Sequence, residues 1–182
     1  NAPVTPGQFI SAALISGGQL RFTPATNVSG AAVAGIPFRV QDDGLTANGG
    51  VDTDTQDRTL SIDLTGVNNA PNGAGGTISG AEDQPILLTA ANFGFTDPND
   101  PNASPLHVLA SVLITNAPSS GKLLNGGVEV FGGQRILAGD IQGNQVTYVP
   151  ADNQNGTGIA FFTFQVQDTG GTANGGIDRD PT

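Results

Sequence analysis

The sequence contains no cysteine, methionine or tryptophan, and it has one tyrosine and one histidine, His107. Without cysteine the chain cannot form a disulfide framework, a thiol nucleophile or a cysteine-ligated metal site. A single histidine excludes a histidine-rich metal site and leaves one candidate for a histidine-dependent triad. We expect His107 to face solvent or to lie at a strand end, because no partner is near it in sequence.

Basic residues are also few, with 6 Lys and Arg against 16 Asp and Glu and a formal net charge of −10. Affinity for nucleic acid comes largely from clustered Lys and Arg, so we expect no nucleic-acid partner. No apolar run reaches the roughly 18 residues of a membrane-spanning helix, so no membrane insertion is predicted. The polar surface consists mainly of uncharged residues, which is typical of secreted bacterial β-proteins and predicts an extracellular or cell-surface location.

The chain contains an internal repeat. Residues 7–56 align without a gap with residues 133–182 at an offset of 126, and 24 of the 50 pairs are identical. The longest conserved stretch is "FRVQDDGLTANGGVDTD" against "FQVQDTGGTANGGIDRD". A repeat of this length indicates that the chain is built from tandem units. We refer to residues 7–56 as the first copy and to residues 133–182 as the second copy.

The unit boundary is expected at "VNNAPNG", residues 67–73. Residues 1–69 would then be the C-terminal part of one β-sandwich repeat, and residues 70–182 a second repeat that lacks its last strand. That strand would be the counterpart of "RTLSIDLTGV", residues 58–67, whose alternating apolar residues predict a β-strand. The first residues resemble neither a signal peptide nor a natural start, so we expect the chain to be an excerpt.

The sequence predicts an all-β fold. Short segments rich in β-branched and aromatic residues alternate with Gly, Pro and Asn turns, and "NGG" at 125–127 predicts a tight hairpin. Only "TAANF" (89–93) and "AGDI" (138–141) are helical candidates. We therefore predict tandem β-sandwich repeats with a period of 126 residues. The predicted strands are "QLRFTPA", "IPFRVQD", "TLSIDLT", "HVLASVLIT", "GKLLNGGVEV", "NQVTYVPA" and "IAFFTFQVQD". In the last of these strands we expect the core residues Phe161, Phe162, Phe164 and Val166, except that either Phe161 or Phe162 must point to the opposite face.

The residues able to carry chemistry are clustered carboxylates. Glu82 and Asp83 precede the Asp-rich turn "FTDPND", which contains Asp97 and Asp100, and Asp168 ends a predicted strand. Calcium prefers six to eight oxygen ligands from carboxylates, Asn side chains and carbonyls. Asp and Asn are also common in turns because they bond their own backbone, so solubility and turn formation are the alternative interpretation. Asp178 and Asp180, with Asp42, Asp43, Asp52, Asp54 and Asp57 in the first copy, form a further acidic set.

The order and spacing of these motifs resemble a known family. "VNNAPNG", the Glu-Asp pair, "FTDPND" and the late strand "FQVQD" are similar to the cadherin-like repeats of large bacterial surface adhesins and to chondroitin-sulfate-proteoglycan repeats. The resemblance implies an extracellular, all-β, Ig/cadherin-like sandwich of seven strands in tandem array, often with Ca²⁺ at the junctions. It implies the metal ligands Glu82, Asp83, Asp97, Asp100 and Asp168, with Asn68 and Asn69 in the linker. Many such linkers carry Asn-Asp, so this linker has one carboxylate fewer.

The function expected is a structural or adhesive repeat segment of a long secreted bacterial surface protein, a calcium-stiffened stalk or cell-contact module. Its partners would be neighbouring repeats of the same chain and a cell-surface or glycan receptor.

Two other functions are open. One is a subunit of a self-assembling extracellular filament or surface layer, a homo-polymer held by strand complementation. The other is a carbohydrate-binding module with an aromatic platform drawn from Phe9, Phe93, Phe95, Phe131 and Tyr148. No enzyme is expected, because paired carboxylates of glycosidases usually lie in aromatic clefts, and this chain has few large aromatic residues.

Overall fold

A computed structural model describes residues 2–101, 103 and 105–182, and its regular structure is mainly antiparallel strand with short helices. None of the helices in these residues is long and apolar enough to cross a membrane. The strands are β1 (Gly30–Phe38), β2 (Arg58–Leu64), β3 (Ile86–Leu87), β4 (Leu109–Asn116), β5 (Lys122–Asn125), β6 (Val128–Glu129), β7 (Arg135–Leu137), β8 (Val146–Val149) and β9 (Thr163–Asp168). The α-helices are α1 (Ala12–Ser16) and α2 (Ala138–Gln142), and single 3₁₀ turns span Ala47–Gly49, Ala90–Phe93 and Ala173–Gly175.

The strands form three sheets. A four-stranded sheet has the order β3-β8-β5-β6, a three-stranded sheet has the order β7-β4-β9, and β1 and β2 form a separate two-stranded ribbon. The central strand β4 pairs antiparallel with β7 and with β9, for example Val112 with Ile136 and with Val166. Each strand of the second copy therefore pairs with a strand from residues 86–125.

The four-stranded and three-stranded sheets share one hydrophobic core. Phe162 and Phe164 pack against it as expected, and the Phe164 ring meets Phe93 edge-on at a centroid distance of 5.1 Å. Phe161 is 71% exposed, because neighbouring strand residues point to opposite faces. The buried cluster contains Leu88, Phe93, Val112, Ile114, Leu123, Val130, Ile136, Ile141, Val146, Tyr148 and Val166.

The hairpin was predicted correctly, and both helical candidates are helical, but α1 and the 3₁₀ turns Ala47–Gly49 and Ala173–Gly175 were not predicted. Leu124 pairs with Glu129 and Asn125 with Val128, so Gly126 and Gly127 form a two-residue loop. Their φ angles are +58° and +81°, the backbone of a type I′ turn, which glycine adopts without the steric cost of a Cβ.

The first copy has no comparable core. In the described part of residues 2–67 no side chain is buried. The strand predicted over 19–25 is wrong, since these residues are irregular, whereas the equivalent segment of the second copy contains β8. The physical reason is that β8 is hydrogen-bonded between β3 and β5, and residues 19–25 have no neighbouring strand in the described chain.

In the helices and the "TANGG" loops, the backbone of the two copies nevertheless matches at the offset of 126. Gly17 N–H donates to the Ala13 carbonyl at 2.9 Å in α1, and Gly143 N–H donates to Gly139 at 2.9 Å in α2. In the "TANGG" loops, Asn48 and Asn174 have φ angles of 57° and 56°. Equivalent local sequences thus adopt equivalent local conformations, although only the second copy is packed.

Candidate metal centre at the linker

The candidate centre lies in the loop before β4. Asp97 directly follows Thr96, whose backbone exchanges two hydrogen bonds with Asn72 at 2.8 and 2.9 Å. Asp100 lies in the following turn, and His107 lies two residues before the start of β4. One ligand atom from each of Asp97, Asp100 and His107 can be chosen so that all three atoms lie within 4.8 Å of one another.

Asp97 is a buried carboxylate without a hydrogen bond. Its side chain is 7% exposed, and neither oxygen has a hydrogen-bond partner among the described residues. The nearest cationic candidate is His107, whose Nδ1 lies 3.4 Å from Asp97 Oδ2 and 3.6 Å from Asp100 Oδ2. Burial raises the pKa of Asp97, and the negative charges of Asp100 and Asp168 raise it further, while His107 acts in the opposite direction.

Asn68 of the linker is fixed against the second copy. Its Nδ2 donates to Asp168 Oδ1 at 3.0 Å and to the carbonyls of Gly171 and Ile177 at 3.0 and 2.8 Å. Its own carbonyl accepts from Ile177 N–H at 3.0 Å. The buried Oδ1 atom of the same side chain has no hydrogen-bond partner in the described structure.

Asn69, the second asparagine of the linker, binds the carboxylate of Asp100. Its backbone N–H donates to Asp100 Oδ2 at 2.6 Å, and its Nδ2 donates to Asp100 Oδ1 at 2.9 Å. The same Nδ2 lies 3.4 Å from Asn27 Oδ1, which belongs to the first copy. The linker, the acidic turn and a loop of the first copy therefore meet at one place.

Asp168 completes the acidic group. It is buried, and it accepts from Gly170 N–H at 2.7 Å as well as from Asn68. Burial raises its pKa, and these hydrogen bonds together with the charge of His107 oppose the rise. Gly170 lies close to the side chains of Asn68 and His107. A Cβ at this position would overlap the Asn68 amide and would lie 2.6 Å from His107 Cε1.

The chemistry of this group fits a hard divalent cation. A buried charge or polar atom is costly unless it is paired, and here three buried oxygens, both of Asp97 and Oδ1 of Asn68, lack partners. Carboxylate and amide oxygens are the ligands that calcium prefers. Asp97 and Asn68 would supply oxygens directly, and Asp100 and Asp168 have further lone pairs beside their hydrogen bonds.

His107 is the residue that sequence reasoning missed. His107 was expected to face solvent or to lie at a strand end. It lies two residues before β4, but its side chain is 19% exposed and its Nδ1 faces the two carboxylates, so the solvent-facing alternative is wrong. No local motif could have indicated this, since His107 and Asp97 are brought together by the turn between them. The imidazole closes one side of the acidic group.

Two of the sequence-predicted ligands lie elsewhere. Asp83 accepts a hydrogen bond from Asn153 N–H at 2.7 Å, and Glu82 accepts one from Asn155 Nδ2 at 2.8 Å. The structure thus brings together Asp97, Asp100, Asp168, Asn68 and Asn69 and puts the Glu-Asp pair against the 153–155 loop.

Asp180 has a different role near the linker. It accepts from Gly73 N–H at 2.7 Å and from Thr182 N–H at 3.0 Å. Burial alone would raise the pKa of Asp180, but these hydrogen bonds hold it below its usual range. The ionised Asp180 therefore fastens the segment after the linker to the end of the second copy.

The aromatic platform is not present as predicted. Phe93 and Tyr148 are core residues, while Phe9 and Phe131 are exposed. An open depression beside the metal centre is lined by Phe95 and Leu106 together with Asp97, Asp100 and His107. No family model, no curated protein and no solved structure matches the chain.

Proposed function

We propose that the chain is a structural segment of a long extracellular β-repeat protein, in which a bound Ca²⁺ ion fixes the linker to the repeat that follows it. The observation that carries the proposal is the contact of Asn68 and Asn69 with Asp168 and Asp100, beside the unpartnered Asp97. A stalk or cell-contact module needs such a junction, because it must hold neighbouring repeats in a defined orientation.

The tandem β-sandwich organisation is part of this proposal. It is supported by the sequence repeat, by two sheets that share one core, and by hydrogen bonds that recur at the same offset. We propose a mechanical function for this organisation instead of an enzymatic one.

The ion would act by charge cancellation. Asp97, Asp100 and Asp168 place three negative charges close together, and their mutual repulsion opposes a compact linker. A divalent cation would relieve that repulsion and bind the Asn68 Oδ1 atom, which orients the linker. Without the ion, the linker keeps its hydrogen bonds but loses this constraint.

Thermal unfolding of the whole chain, in millimolar Ca²⁺ and then in excess chelator, tests the proposal. A ligand at 100 times its dissociation constant that binds only the folded state adds about 2.7 kcal/mol of stability. We expect the midpoint to rise with Ca²⁺ in the native chain and in Asp42→Asn, the first-copy equivalent of Asp168. We expect no rise in Asp97→Ala. A native midpoint indifferent to Ca²⁺ would contradict the proposed mechanism.

A filament held by strand exchange is the second candidate. Strand β1 of the first copy pairs with β2, which follows the copy in sequence, but the equivalent outer edge of the second copy pairs only near residues 166–168 in the described chain. Regular fibres in electron micrographs, suppressed by an excess of a peptide with the sequence 58–64, would favour this candidate. A monomer at high concentration would count against it.

A further inference from the structure

The two copies differ in burial at equivalent positions. Val40 is 59% exposed and its equivalent Val166 is fully buried; Ile15 is 53% exposed and Ile141 is 1% exposed. The equivalent aromatic residues show the same difference in burial, since Phe22 is exposed and Tyr148 is buried. These positions carry apolar residues in both copies, so the first copy displays on its surface the side chains that form a core in the second.

Residues 70–126, which we name the covering segment, account for the burial of the second copy. Strands β3 and β5 of this segment pair with β8, and strand β4 pairs with β7 and β9. The segment also provides nearly half of the buried cluster, namely Leu88, Phe93, Val112, Ile114 and Leu123.

The first copy has the local structure needed to receive the same partner. Helix α1 and the "TANGG" loop have the backbone hydrogen bonds of their counterparts in the second copy. The positions equivalent to β7 and β8, residues 9–11 and 20–23, are irregular, as expected for strands whose hydrogen-bonding neighbours are missing from the described residues.

Exchange between identical chains cannot cover this surface. Each chain contains one covering segment and two copies that could bind it. If the covering segment of one chain moved to the first copy of another, it would expose its own second copy. The occupant must therefore come in addition to the covering segment seen here.

We propose that the exposed apolar face of the first copy binds a β-rich polypeptide segment with the hydrophobic pattern of the covering segment. The partner would add strands to residues 9–11, 20–23 and 37–42 and would bury Ile15, Leu20, Phe22 and Val40. This inference rests on the proposed tandem organisation and names the partner that completes a repeat. It does not depend on the metal.

The test joins a second example of residues 70–126 to the N-terminus, with residue 126 directly before residue 1 so that the offset of 126 is kept. Hydrogen exchange is then followed in the whole chain. We expect the amides of residues 20–23 to exchange at least about 100-fold more slowly than in the original chain. Residues 146–149 of the second copy serve as the internal reference for a completed unit.

A matched control carries Val112→Asp and Ile114→Asp in the added segment only, and in it we expect residues 20–23 to remain fast. Equal exchange in the extended, control and original chains would overturn the inference. So would slow exchange of residues 20–23 in the original chain at high concentration, because the occupant would then be a second copy of the chain. Failure of the calcium response would refute the junction mechanism and leave this test unaffected.

Discussion

At the scale of single residues, Asp97 determines the electrostatics of the linker. Its carboxylate is buried next to two other acids, and burial together with their charges raises its pKa. A carboxylate in this position is stabilised by a cation, by a proton or by a protonated His107. The Asp97→Asn substitution and the pH dependence of stability distinguish these ways of balancing the charge.

Replacing the charge without changing the shape should have opposite effects with and without the cation. In chelator, we expect Asp97→Asn to unfold at the same or a higher temperature than the native chain, because it removes a buried charge. In Ca²⁺, we expect it to be the less stable protein, because a ligand is lost. Thermal unfolding under both conditions checks this, and a variant that is less stable in chelator would indicate that His107 already pairs fully with Asp97.

The pH dependence has a defined sign. The pKa values of Asp97 and Asp168 are raised, so the folded state binds these protons more tightly than the unfolded state. In chelator, the free energy of unfolding should rise as the pH falls from neutral through these raised pKa values. Below the ordinary carboxylate range it should fall again as Asp180, whose pKa is lowered, becomes protonated.

Denaturant unfolding at a series of pH values measures this profile. In saturating Ca²⁺ the gain on acidification should disappear, because protons then compete with the ion for the same oxygens. Stability that decreases steadily from neutral pH in chelator would contradict the raised pKa values.

Gly170 is required for the approach of Asn68 to His107. A Cβ in Gly170→Ala would overlap the Asn68 amide, so we expect a loss of about 1–3 kcal/mol and a weaker calcium response. Gly75→Ala is the matched control, since nothing lies within 4 Å of a Cβ there. Denaturant unfolding of both variants measures the difference, and equal stability would show that the linker moves aside without cost.

At the scale of elements, short helices and strands depend on what packs on them. Helices α1 and α2 have five residues each and the same backbone pattern. Five residues are too few for a helix to be stable alone, so its contribution comes from burial of its apolar face. Ile141 in α2 is buried, and Ile15 at the equivalent position of α1 is exposed.

These two isoleucines form a matched pair for mutation. We expect Ile141→Ala to lower the free energy of unfolding by about 2–5 kcal/mol, the usual cost of such a cavity. Ile15→Ala should change it by less than about 0.5 kcal/mol, as at other exposed positions. Denaturant unfolding of both variants is the measurement, and a large loss in Ile15→Ala would mean that the first copy is packed in solution.

At the scale of the whole molecule, stability is concentrated in the part that contains the core. All residues of the buried cluster lie between Leu88 and Val166, and residues 2–67 contribute none. The cooperative unit should therefore lie within residues 70–182, with the first copy attached through the linker.

Hydrogen exchange of the unextended chain tests this division. We expect the amides of residues 146–149 to exchange only through global unfolding, and those of residues 20–23 to exchange nearly as fast as in an unfolded peptide. Calcium should slow exchange at Asn68 and Asn69 in particular. Equal protection of both copies would contradict the division.

Much of the local structure could be predicted from the sequence, because it depends on nearby residues. Turn glycines and asparagines specify the "NGG" hairpin and the "TANGG" loops, and alternation specifies β4 and β9. The acidic turn and the linker could be selected as candidate ligands because oxygen-rich side chains cluster there. Nothing local distinguished Asp97 from Glu82 and Asp83, or showed that His107 faces the carboxylates.

The sequence by itself determined the all-β character, the equivalent backbone of the two helices and the two "TANGG" loops, and the acidic candidates, since each follows from residues close together in the chain. Only the tertiary structure decided which strands are paired, which apolar residues are buried and which polar residues of the linker meet the acidic residues. Leu20 and Val146 are each followed two positions later by an aromatic residue, but only Val146 has strands on both sides and a core beneath it. Asn68 and Asp168 meet across 100 residues. Pairing and burial depend on such long-range contacts, and a local pattern carries no record of them.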